Sequence, residues 1–382
     1  MSKLEKLIAE LCPCGVTVKP LGDVVKFLNG KAYKQPELLD SGKYKVLRVG
    51  NFHTNDNWYY SDLELDDDKY CDNGDLLYTW AATIGPEIWQ GEKVIYHYHI
   101  WKLKFDKTII NKRFLYHFLH MDIDNIAKSL TNSTMPHVSM ASMNKRTVPI
   151  PPMEVQCEIV RILDNFTELT AELTAELTAR KKQYEFYRDT LLLKDQSIPL
   201  KTIEMVCKVS AGGDAPKNTM SKEKTDEYRI PIISNGVGEN ALYGYTNVAK
   251  ITEPAITVAA RGTIGYAEYR DYPYVPIIRL LSLIPINKDE LDTKYLYYCL
   301  QGKEYNVPTT GIPQLTAPMV KQVEIPVPEI RVQKRIVDVL DNFDKICSDY
   351  NIGIPAEIDA RQKQYQYYRD KLLTFKEIEK VE

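Results

Sequence analysis

The sequence IPPMEVQCEIVRILDNFTELTAELTAELTARKKQYEFYRDTLL at 150–192 predicts a single long helix, and both of its ends occur a second time in the chain. Its beginning returns as VPEIRVQKRIVDVLDNF at 327–343, and its end returns as KQYQYYRDKLL at 363–373. Both copies contain LDNF and KQYxxYRDxLL. Because two such matches are hard to obtain by chance, we interpret the chain as a tandem repeat.

Apolar residues recur at mostly three- and four-residue spacing in both copies, which places them on one face of a helix. Two such helices in one chain are expected to pack against each other as a coiled coil. At ~1.5 Å per residue, a helix of about 40 residues is roughly 60 Å long and exceeds an ordinary domain. The side chains that we expect to pack between the helices are Phe166, Leu169, Leu173, Leu177, Phe343, Ile346, Tyr350 and Ile354.

The composition is that of a folded protein rather than a membrane protein or a basic nucleic-acid coat. The chain has 382 residues, 44% of them hydrophobic, and a formal net charge of −3. It contains no run near the ~20 apolar residues of a membrane span, and its N-terminus does not resemble a signal peptide. Its seven cysteines are scattered and odd in number, which favours a reducing compartment. We therefore expect a cytoplasmic location and no membrane partner.

The stretches outside the helices carry strand-like runs. YKVLRVGNF at 44–52, DLLYTWAAT at 75–83 and the alternating KVIYHYHIWKLKF at 93–105 predict strands, and NKRFLYHFLH at 111–120 predicts a short helix. Similar runs follow the first long helix. The later segment IPQLTAPMVKQVEIPVP at 312–328 aligns without a gap on the corresponding part of the first half.

We therefore predict an α+β fold that repeats one scheme twice, a strand-rich globule followed by a long helix, with the two helices antiparallel and the halves related by a pseudo-twofold. Residues 1–14 form an N-terminal helix that we expect to pack near the end of the last helix. The predicted domains are 1–14, a first globule at 15–150, a central long helix at 151–195, a second globule at 196–326 and a C-terminal long helix at 327–382.

The second helix carries an interruption that the first lacks. Between LDNF and KQY it is four residues longer, and it contains Gly353 and Pro355. Proline inside a helix costs about 3 kcal/mol or more unless the helix is kinked. We therefore expect a break or kink near 351–355.

The first helix contains the unit TAEL at 170–173 and again at 174–177. One unit more or less would move the far end of the helix by about 6 Å and rotate it by roughly 40°. Duplex DNA rises about 3.4 Å per base pair, so this step would change the spacing of two DNA contacts by one or two base pairs. Taken alone, TAEL is explained equally well as helix-forming filler.

These features together resemble the specificity subunits of type I restriction-modification systems, over nearly the whole chain. In that family the globules are target recognition domains, each reading one half of a bipartite DNA site, and TAEL repeats set the gap between the halves. The residues that carry the resemblance are the helix entries Ile150, Gln156, Ile159 and Val327, Gln333, Ile336, with the TAEL run, the KQYxxYRDxLL ends and the TIG stretches at 83–85 and 263–265.

The resemblance implies a non-catalytic subunit that binds double-stranded DNA, two methyltransferase subunits, and restriction or translocase subunits. S-adenosylmethionine, ATP and Mg would then be bound by those partners. The sequence agrees, since it contains no NPP(Y/F), FxGxG, GxxxxGK(S/T) or PD…ExK motif. His97 and His99 would share a strand face, but we expect no metal site here.

DNA contacts require basic, amide and hydroxyl side chains on loops. Among these, Arg48 and Arg261 stand out because each lies amid apolar residues, where an unpaired charge would be costly. In the first globule we predict contacts from Lys31, Tyr33, Lys34, Arg48, Asn51, Thr79, Trp80, Thr83, Asn132, Ser133 and His137. In the second we predict contacts from Lys217, Asn218, Arg229, Ser234, Asn235, Arg261, Thr263, Thr309, Thr310 and Gln314.

Two other interpretations remain open. A coiled-coil scaffold that joins protein partners through its globules would have the same helices but no sequence-dependent affinity for DNA. An enzyme with an unrecognised active site would need a carboxylate or histidine cluster that the two halves do not share.

Overall fold

The computed structural model describes residues 2–52, 55–129, 137–193, 198–307 and 313–378. The chain forms two compact units. The first unit is Met1–Thr174 with Glu357–Glu382, and the second is Ala175–Ala356. Each unit thus contains one strand-rich region, part of the long central helix and part of the C-terminal helical region.

The first unit begins with a helix, continues through short strands and ends in helices. Its helices are α1 (Lys3–Leu11), α2 (Leu21–Val24), α3 (Lys112–Ser129) and α4 (Met140–Lys145). Its strands are β1 (Thr17–Pro20), β2 (Val25–Asn29), β3 (Tyr44–Leu47), β4 (Tyr59–Ser61), β5 (Tyr70–Cys71), β6 (Leu76–Thr79), β7 (Gly85–Ile88), β8 (Val94–Tyr96), β9 (Ile100–Phe105) and β10 (Thr147–Ile150).

Two four-stranded sheets form the strand-rich region of the first unit. One has the order β2-β9-β6-β7 and is antiparallel, and the other has the order β4-β3-β8-β5 with β3 and β8 parallel. β1 pairs separately with β10. The main core lies between the first sheet, α3 and the start of the long helix, with Tyr78, Phe114 and Ile159 fully buried.

The long central helix, α5 (Met153–Leu193), has 41 residues and confirms the single helix predicted from the sequence. It follows Pro151 and Pro152, which are tolerated at a helix start because N–H groups there have no helical partner. The threonines of the TAEL region bond back to the helix itself: Thr170 Oγ1 donates to the Phe166 carbonyl at 2.8 Å. These hydroxyls therefore need no partner outside the helix.

The second unit repeats the sheet arrangement of the first. Its sheets have the orders β12-β19-β16-β17 and β13-β15-β14-β18, and β11 pairs with β20. Its strands are β11 (Leu200–Thr202), β12 (Cys207–Ala211), β13 (Met220–Ser221), β14 (Ile230–Ile233), β15 (Leu242–Thr246), β16 (Ala255–Val258), β17 (Ala267–Arg270), β18 (Val275–Pro276), β19 (Leu281–Pro285) and β20 (Glu324–Pro326). The helices outside α5 are α6 (Ile203–Val206), α7 (Thr293–Leu300), α8 (Ala317–Lys321), α9 (Ile330–Ser348) and α10 (Ile354–Leu372), the last lying mostly in the first unit.

The predicted break in the C-terminal helix is confirmed. The assignment of 327–382 to one long helix was wrong, because two helices occupy this region. The helix ends at Ser348 and restarts at Ile354. Gly353 is needed at this turn because a Cβ there would lie 2.6 Å from the carbonyl oxygens of both Asp349 and Lys345. Pro355 occupies the second position of α10, where it removes no helical hydrogen bond.

Aromatic contacts pair the helices within each unit. Phe166 stacks on Tyr368 with ring centroids 5.3 Å apart, and Tyr187 contacts Phe343 at 5.6 Å. These contacts join α5 to α10 in the first unit and α5 to α9 in the second.

Two of the predicted packing residues do not pack. Ile346 is 42% exposed and Tyr350 is 80% exposed, whereas Cys347 is buried. The prediction assumed that the helical spacing of apolar residues continues across the break after Ser348. Tyr350 instead lies in the turn between α9 and α10. The half-buried members of the predicted set are Phe166, Leu169, Leu173, Leu177, Phe343 and Ile354.

A buried glutamine joins α5 to the strand-rich region of the first unit. Gln156 Nε2 donates to the carbonyls of Ile109 (2.9 Å) and Pro151 (2.8 Å), and its Oε1 accepts from the Asn111 N–H (2.8 Å). Asn111 in turn caps α3, since its side chain accepts from the Arg113 N–H at 2.8 Å. All three bonds of the glutamine therefore fix where α3 begins on α5.

Gln333 makes the same three hydrogen bonds in the second unit, and we call this arrangement the glutamine clamp. Gln333 Nε2 donates to the carbonyls of Glu290 and Pro328, both at 2.8 Å, and its Oε1 accepts from the Asp292 N–H at 2.9 Å. Asp292 caps α7 by accepting from the Lys294 N–H at 2.8 Å. The glutamine that marks both helix entries in the sequence is thus a structural connector.

The aspartate of LDNF makes a second connection in each unit. Asp164 accepts from Arg113 at 2.6 Å and lies 2.7 Å from His117 Nε2, while His117 Nδ1 lies 2.9 Å from the Tyr365 hydroxyl. Burial opposes ionisation of Asp164, but the His117 and Arg113 hydrogen bonds outweigh it and hold its pKa below the ordinary value. In the second unit Asp341 accepts from Lys294 and Tyr298.

The N-terminal segment packs in the first unit as predicted. Lys3 pairs with the buried Glu158 of α5 at 2.8 Å, and Leu4 joins the main core. Val16 donates its N–H to the Lys376 carbonyl at 2.8 Å and accepts from the Ile378 N–H at 3.1 Å. Residues near both ends of the described chain therefore meet in one strand-like bridge.

The Gln156 clamp makes a testable prediction. Replacing Gln156 by Leu would leave the buried Pro151 carbonyl and the part-buried Ile109 carbonyl and Asn111 N–H without their partner, at about 1–3 kcal/mol for each group that water cannot reach. We expect the free energy of unfolding of the full chain to fall by about 2 kcal/mol or more, measured by denaturant titration. Gln362→Leu, at an exposed position of α10 in the same unit, is the control and should change it by less than about 0.5 kcal/mol. A loss no larger than the control's would contradict the clamp.

Candidate nucleic-acid interface

Three loops of the first unit meet at one end of its sheets. The His97 N–H donates to the Leu47 carbonyl at 2.9 Å, which ties the end of β3 to the turn before β9. Trp80 donates its backbone N–H to the His99 carbonyl (3.1 Å) and its indole N–H to the Tyr98 carbonyl (2.7 Å). We call this group, residues 48–51, 80–84 and 97–99, the first loop cluster.

The second unit joins the corresponding loops through a different side chain. Asn235 Nδ2 donates to the Ile278 carbonyl at 2.7 Å, and its Oδ1 accepts from the Ala260 N–H at 2.7 Å. The Asn235 carbonyl accepts from the Thr263 hydroxyl at 2.9 Å. We call residues 234–236, 260–264 and 277–279 the second loop cluster.

Both clusters share a backbone shape and differ in their side chains. Ala82 has a left-handed φ of 63°, and the corresponding Gly262 has a φ of 70°. The Val138 N–H donates to the Trp80 carbonyl, and the Leu315 N–H donates to the Ala260 carbonyl, each at 2.9 Å. One scaffold thus carries Trp80 in the first unit and Ala260 in the second.

The guanidinium of Arg48 is held by neutral groups. It lies 4.3 Å from the Tyr59 ring centroid and donates to the Asn57 carbonyl at 3.3 Å. Its Nε is buried without an acceptor in the described part of the chain. A half-buried cation without a carboxylate keeps a strong attraction for an incoming anion.

Arg261 has a similar environment in the second cluster. Its Nε and Nη2 both donate to Gln314 Oε1, at 3.1 and 2.7 Å. Among the described residues, neither Arg261 nor Arg48 forms an ion pair. Both arginines, singled out in the sequence by their apolar neighbours, therefore lack a carboxylate partner in the described part of the chain, and their role in DNA binding stays a prediction.

The predicted strand over 93–105 was wrong in one respect. β8 ends at Tyr96 and β9 begins at Ile100, so His97 and His99 lie in a turn between two sheets rather than on one strand face. Burial lowers the pKa of His97 to about 4, with the nearby His99 and Arg48 adding to the shift. Burial also lowers the pKa of His99. Both rings are therefore neutral at physiological pH.

Several residues predicted to contact DNA instead hold the loops. Thr79 is buried and donates to the Gly85 carbonyl at 3.0 Å, which excludes it from the surface. The Asn51 amide accepts from the Arg48 N–H and donates to the carbonyl of Asn55. Ser234 donates to the Ala241 carbonyl at 3.1 Å. These three side chains bond within the protein.

Other predicted residues have carboxylate partners or lie on the surface. Lys31 pairs with Glu37 at 3.3 Å, and Arg229 pairs with Asp226 at 3.0 Å, so these charges are partly neutralised. Burial raises the pKa of Tyr33, which stacks near His97. The predicted residues on the surface are Lys34, Thr83, His137, Lys217, Asn218 and Thr263. Asn132, Ser133, Thr309 and Thr310 lie outside the described residues.

The sequence prediction missed four residues at the tips of the clusters: Tyr98, His99, Ile278 and Arg279. They form the two-residue turns between β8 and β9 and between β18 and β19. In the first half the alternating pattern continues across the turn and conceals it. The available signal was the internal alignment, because IIRL at 277–280 corresponds to HYHI at 97–100.

The described residues contain no grouping of three His, Cys, Asp or Glu side chains that could hold a metal ion. Over the same ranges, no helix is long and apolar enough to cross a membrane.

The family model for the type I restriction modification DNA specificity domain matches residues 13–180 and again residues 200–360. The chain therefore belongs to this family and carries its domain twice. A type I specificity subunit of Mycoplasma pneumoniae is 37% identical over 72% of this chain and 86% of that protein. The specificity subunit of Escherichia coli EcoR124I/EcoR124II is 32% identical over 64% of this chain and 66% of that protein.

Solved structures have the same fold. The S subunit of a type I restriction-modification system from M. genitalium aligns with a TM-score of 0.56 at 14% identity, over 94% of this chain and 96% of that one. A chain from a study of type I restriction-modification complex assembly aligns with a TM-score of 0.58 at 15% identity, over 94% and 98%. At such low identity, the likeness establishes the fold alone.

Proposed function

We propose that each loop cluster reads one half of a bipartite, asymmetric DNA site. This proposal is carried by one observation: the two loop clusters share a backbone scaffold but present different side chains at their tips. Two copies of one backbone present an uncompensated arginine each, Arg48 and Arg261, beside side chains that differ between the copies. Phosphate contacts position a protein on DNA, whereas differing side chains allow the two halves to read different bases.

The chain itself is proposed to be non-catalytic. His117 between Asp164 and Tyr365 is the arrangement most like a catalytic group. However, both ring nitrogens of this buried histidine are engaged, and the second unit places Tyr298 against Asp341 in the same role. A structural connection explains both. S-adenosylmethionine, ATP and Mg are then expected on the methyltransferase and restriction subunits.

The helices are proposed to set the separation of the two readers. α5 is continuous across the TAEL units, and the Thr170 hydroxyl bonds within the helix. Each unit ends in a half-buried leucine, Leu173 or Leu177, so a helix with one unit fewer keeps the same repeating pattern of leucines. This repetition favours a spacer.

The helices are also proposed to dock two methyltransferase subunits, with restriction subunits joining that core. α9 carries Val332, Val339 and Ile346 seven residues apart, each 42% exposed. Val332 and Val155 both directly precede a clamp glutamine, yet Val155 is fully buried in the core that α1 joins. An apolar stripe left open on α9 suits a partner helix.

The two arginines make the first prediction from this function. Arg48→Ala and Arg261→Ala should each weaken binding of the assembled complex to its cognate duplex by about tenfold and reduce the salt slope by about one. In a DNA footprint, each variant should lose protection over a different half of the site. Lys288→Ala, at an exposed ion pair beyond the other end of β19, is the control and should leave both halves protected.

Loss of the same half in both variants would contradict separate readers. If the complex with the unchanged chain had no sequence-dependent affinity for DNA, the scaffold interpretation would replace this one.

The stripe on α9 makes the second prediction. Val332→Glu combined with Val339→Glu should weaken association with purified methyltransferase subunits by at least about tenfold, because two buried carboxylates would be unpaired in the interface. The melting temperature of the free chain should change little, since both side chains are exposed. Lys334→Glu, roughly 200° around the helix from Val332, is the control. Unchanged association, measured by titration calorimetry, would exclude this docking face.

A further inference from the structure

The turn between β18 and β19 has an unfavourable backbone for its residues. Ile278 has a φ of 52° and Arg279 a φ of 61°, and the Leu280 N–H donates to the Ile277 carbonyl at 3.0 Å. Two central residues with positive φ define a type I′ turn, for which Asn-Gly is the usual sequence. A β-branched residue in this region is an outlier, because its Cβ collides with the backbone.

The surrounding backbone holds this strained turn in place. The Ile278 N–H donates to the Gly213 carbonyl at 2.8 Å, the Arg279 N–H donates to the Gly212 carbonyl at 3.1 Å, and Asn235 donates to the Ile278 carbonyl at 2.7 Å. Strain that is fixed from several sides is commonly found at functional sites.

The two side chains do nothing for the fold that would justify their conformation. Ile278 is 48% exposed, although its side chain is apolar. Arg279 is also exposed, and its guanidinium makes no hydrogen bond or ion pair with any other described residue. Asparagine and glycine would fit the turn better, so stability alone does not account for these residues.

The first unit presents a pair of residues at the same point of its scaffold, Tyr98 and His99, without the positive φ angles of Ile278 and Arg279. Tyr98 is 37% exposed and is followed by His99, and the Ile100 N–H donates to the His97 carbonyl at 3.0 Å. The Tyr98 carbonyl accepts from Trp80, as the Ile278 carbonyl accepts from Asn235. In both units a large exposed residue, Tyr98 or Ile278, is therefore followed by a residue with a nitrogen-bearing side chain. The carbonyl of the first residue accepts a hydrogen bond from a neighbouring loop in each case.

We propose that these turns are the base-reading elements, with Ile278 and Arg279 reading one half-site and Tyr98 and His99 the other. This inference rests on the proposed DNA-binding function. Arg279 has the donors for the O6 and N7 acceptors of guanine, and Ile278 can contact a thymine methyl group. Arg48 and Arg261, which lie in the neighbouring loops of each cluster, hold phosphates.

The test replaces the strained pair by the sequence that the turn prefers. The full chain carrying Ile278→Asn and Arg279→Gly, assembled with its methyltransferase subunits, is used to select duplexes from a library in which each half-site is randomised in turn. We expect the melting temperature of the free chain to rise by roughly 4 °C. Base preference in one half-site should fall by about tenfold or more, while the other half-site is read as before.

Two further variants separate the outcomes. Arg279→Lys keeps the charge but loses the paired donors, so it should also relax base preference in that half-site. If Arg279→Lys keeps the preference, or if the double variant weakens binding to all sequences equally, the turn contacts phosphate and the inference is wrong. If the double variant keeps the preference while Arg261→Ala loses its half of the footprint, the inference fails and the proposed function stands. If neither the double variant nor Arg261→Ala changes DNA binding, the inference and the proposed function both fail.

Discussion

A buried carboxamide connects each strand-rich region to its helix, and the remaining structure of both units depends on that connection. Gln156 and Gln333 each donate two hydrogen bonds to backbone carbonyls and accept one from a backbone N–H. Only a side chain with donors and an acceptor at its end can satisfy all three groups. Because its partners are backbone atoms, the clamp sets the position of α3 or α7 without regard to the side chains around it.

This separation of roles explains how the two halves of the chain came to differ. The helix motifs meet backbone atoms and a few fixed side chains of their own unit, so a change there would leave buried groups unpaired. The tips of the loop clusters are held through backbone groups, since the carbonyls of Tyr98 and Ile278 accept the hydrogen bonds from the neighbouring loops, and the same left-handed backbone accommodates Ala82 in one unit and Gly262 in the other. Tips such as Tyr98 and Ile278 can therefore change without loss of the scaffold.

The sequence predicted the helices and the break between them, which depend on residues close together in the chain. Apolar periodicity gave the helix over 150–193, and Gly353 with Pro355 gave the break, because both signals act within a few residues. The packing register failed at Ile346 and Tyr350, since the helix ends at Ser348 and the apolar period does not continue.

The candidate interface was predicted less completely, because it is assembled by contacts between distant loops. Arg48 and Arg261 were found from an isolated charge among apolar neighbours. Thr79 was misplaced because nothing in its sequence context shows that Gly85 takes its hydroxyl bond. The turns at 97–100 and 277–280 were not singled out, because the strained backbone of Ile278 and Arg279 and the hydrogen-bonded carbonyls of Tyr98 and Ile278 cannot be read from local sequence, and only the internal alignment relates the two segments.

One uninterrupted helix, α5, is what we propose to separate two DNA readers, and the most direct measurement alters its length. The chain lacking Thr174–Leu177, one TAEL unit, would be co-expressed with its methyltransferase subunits, and host DNA methylation would be mapped beside that of the unchanged chain. We expect a split motif with both halves unchanged and a gap shorter by about one or two base pairs. A continuous motif, or a split motif whose gap is unaltered by the deletion, would contradict a helical spacer between two readers.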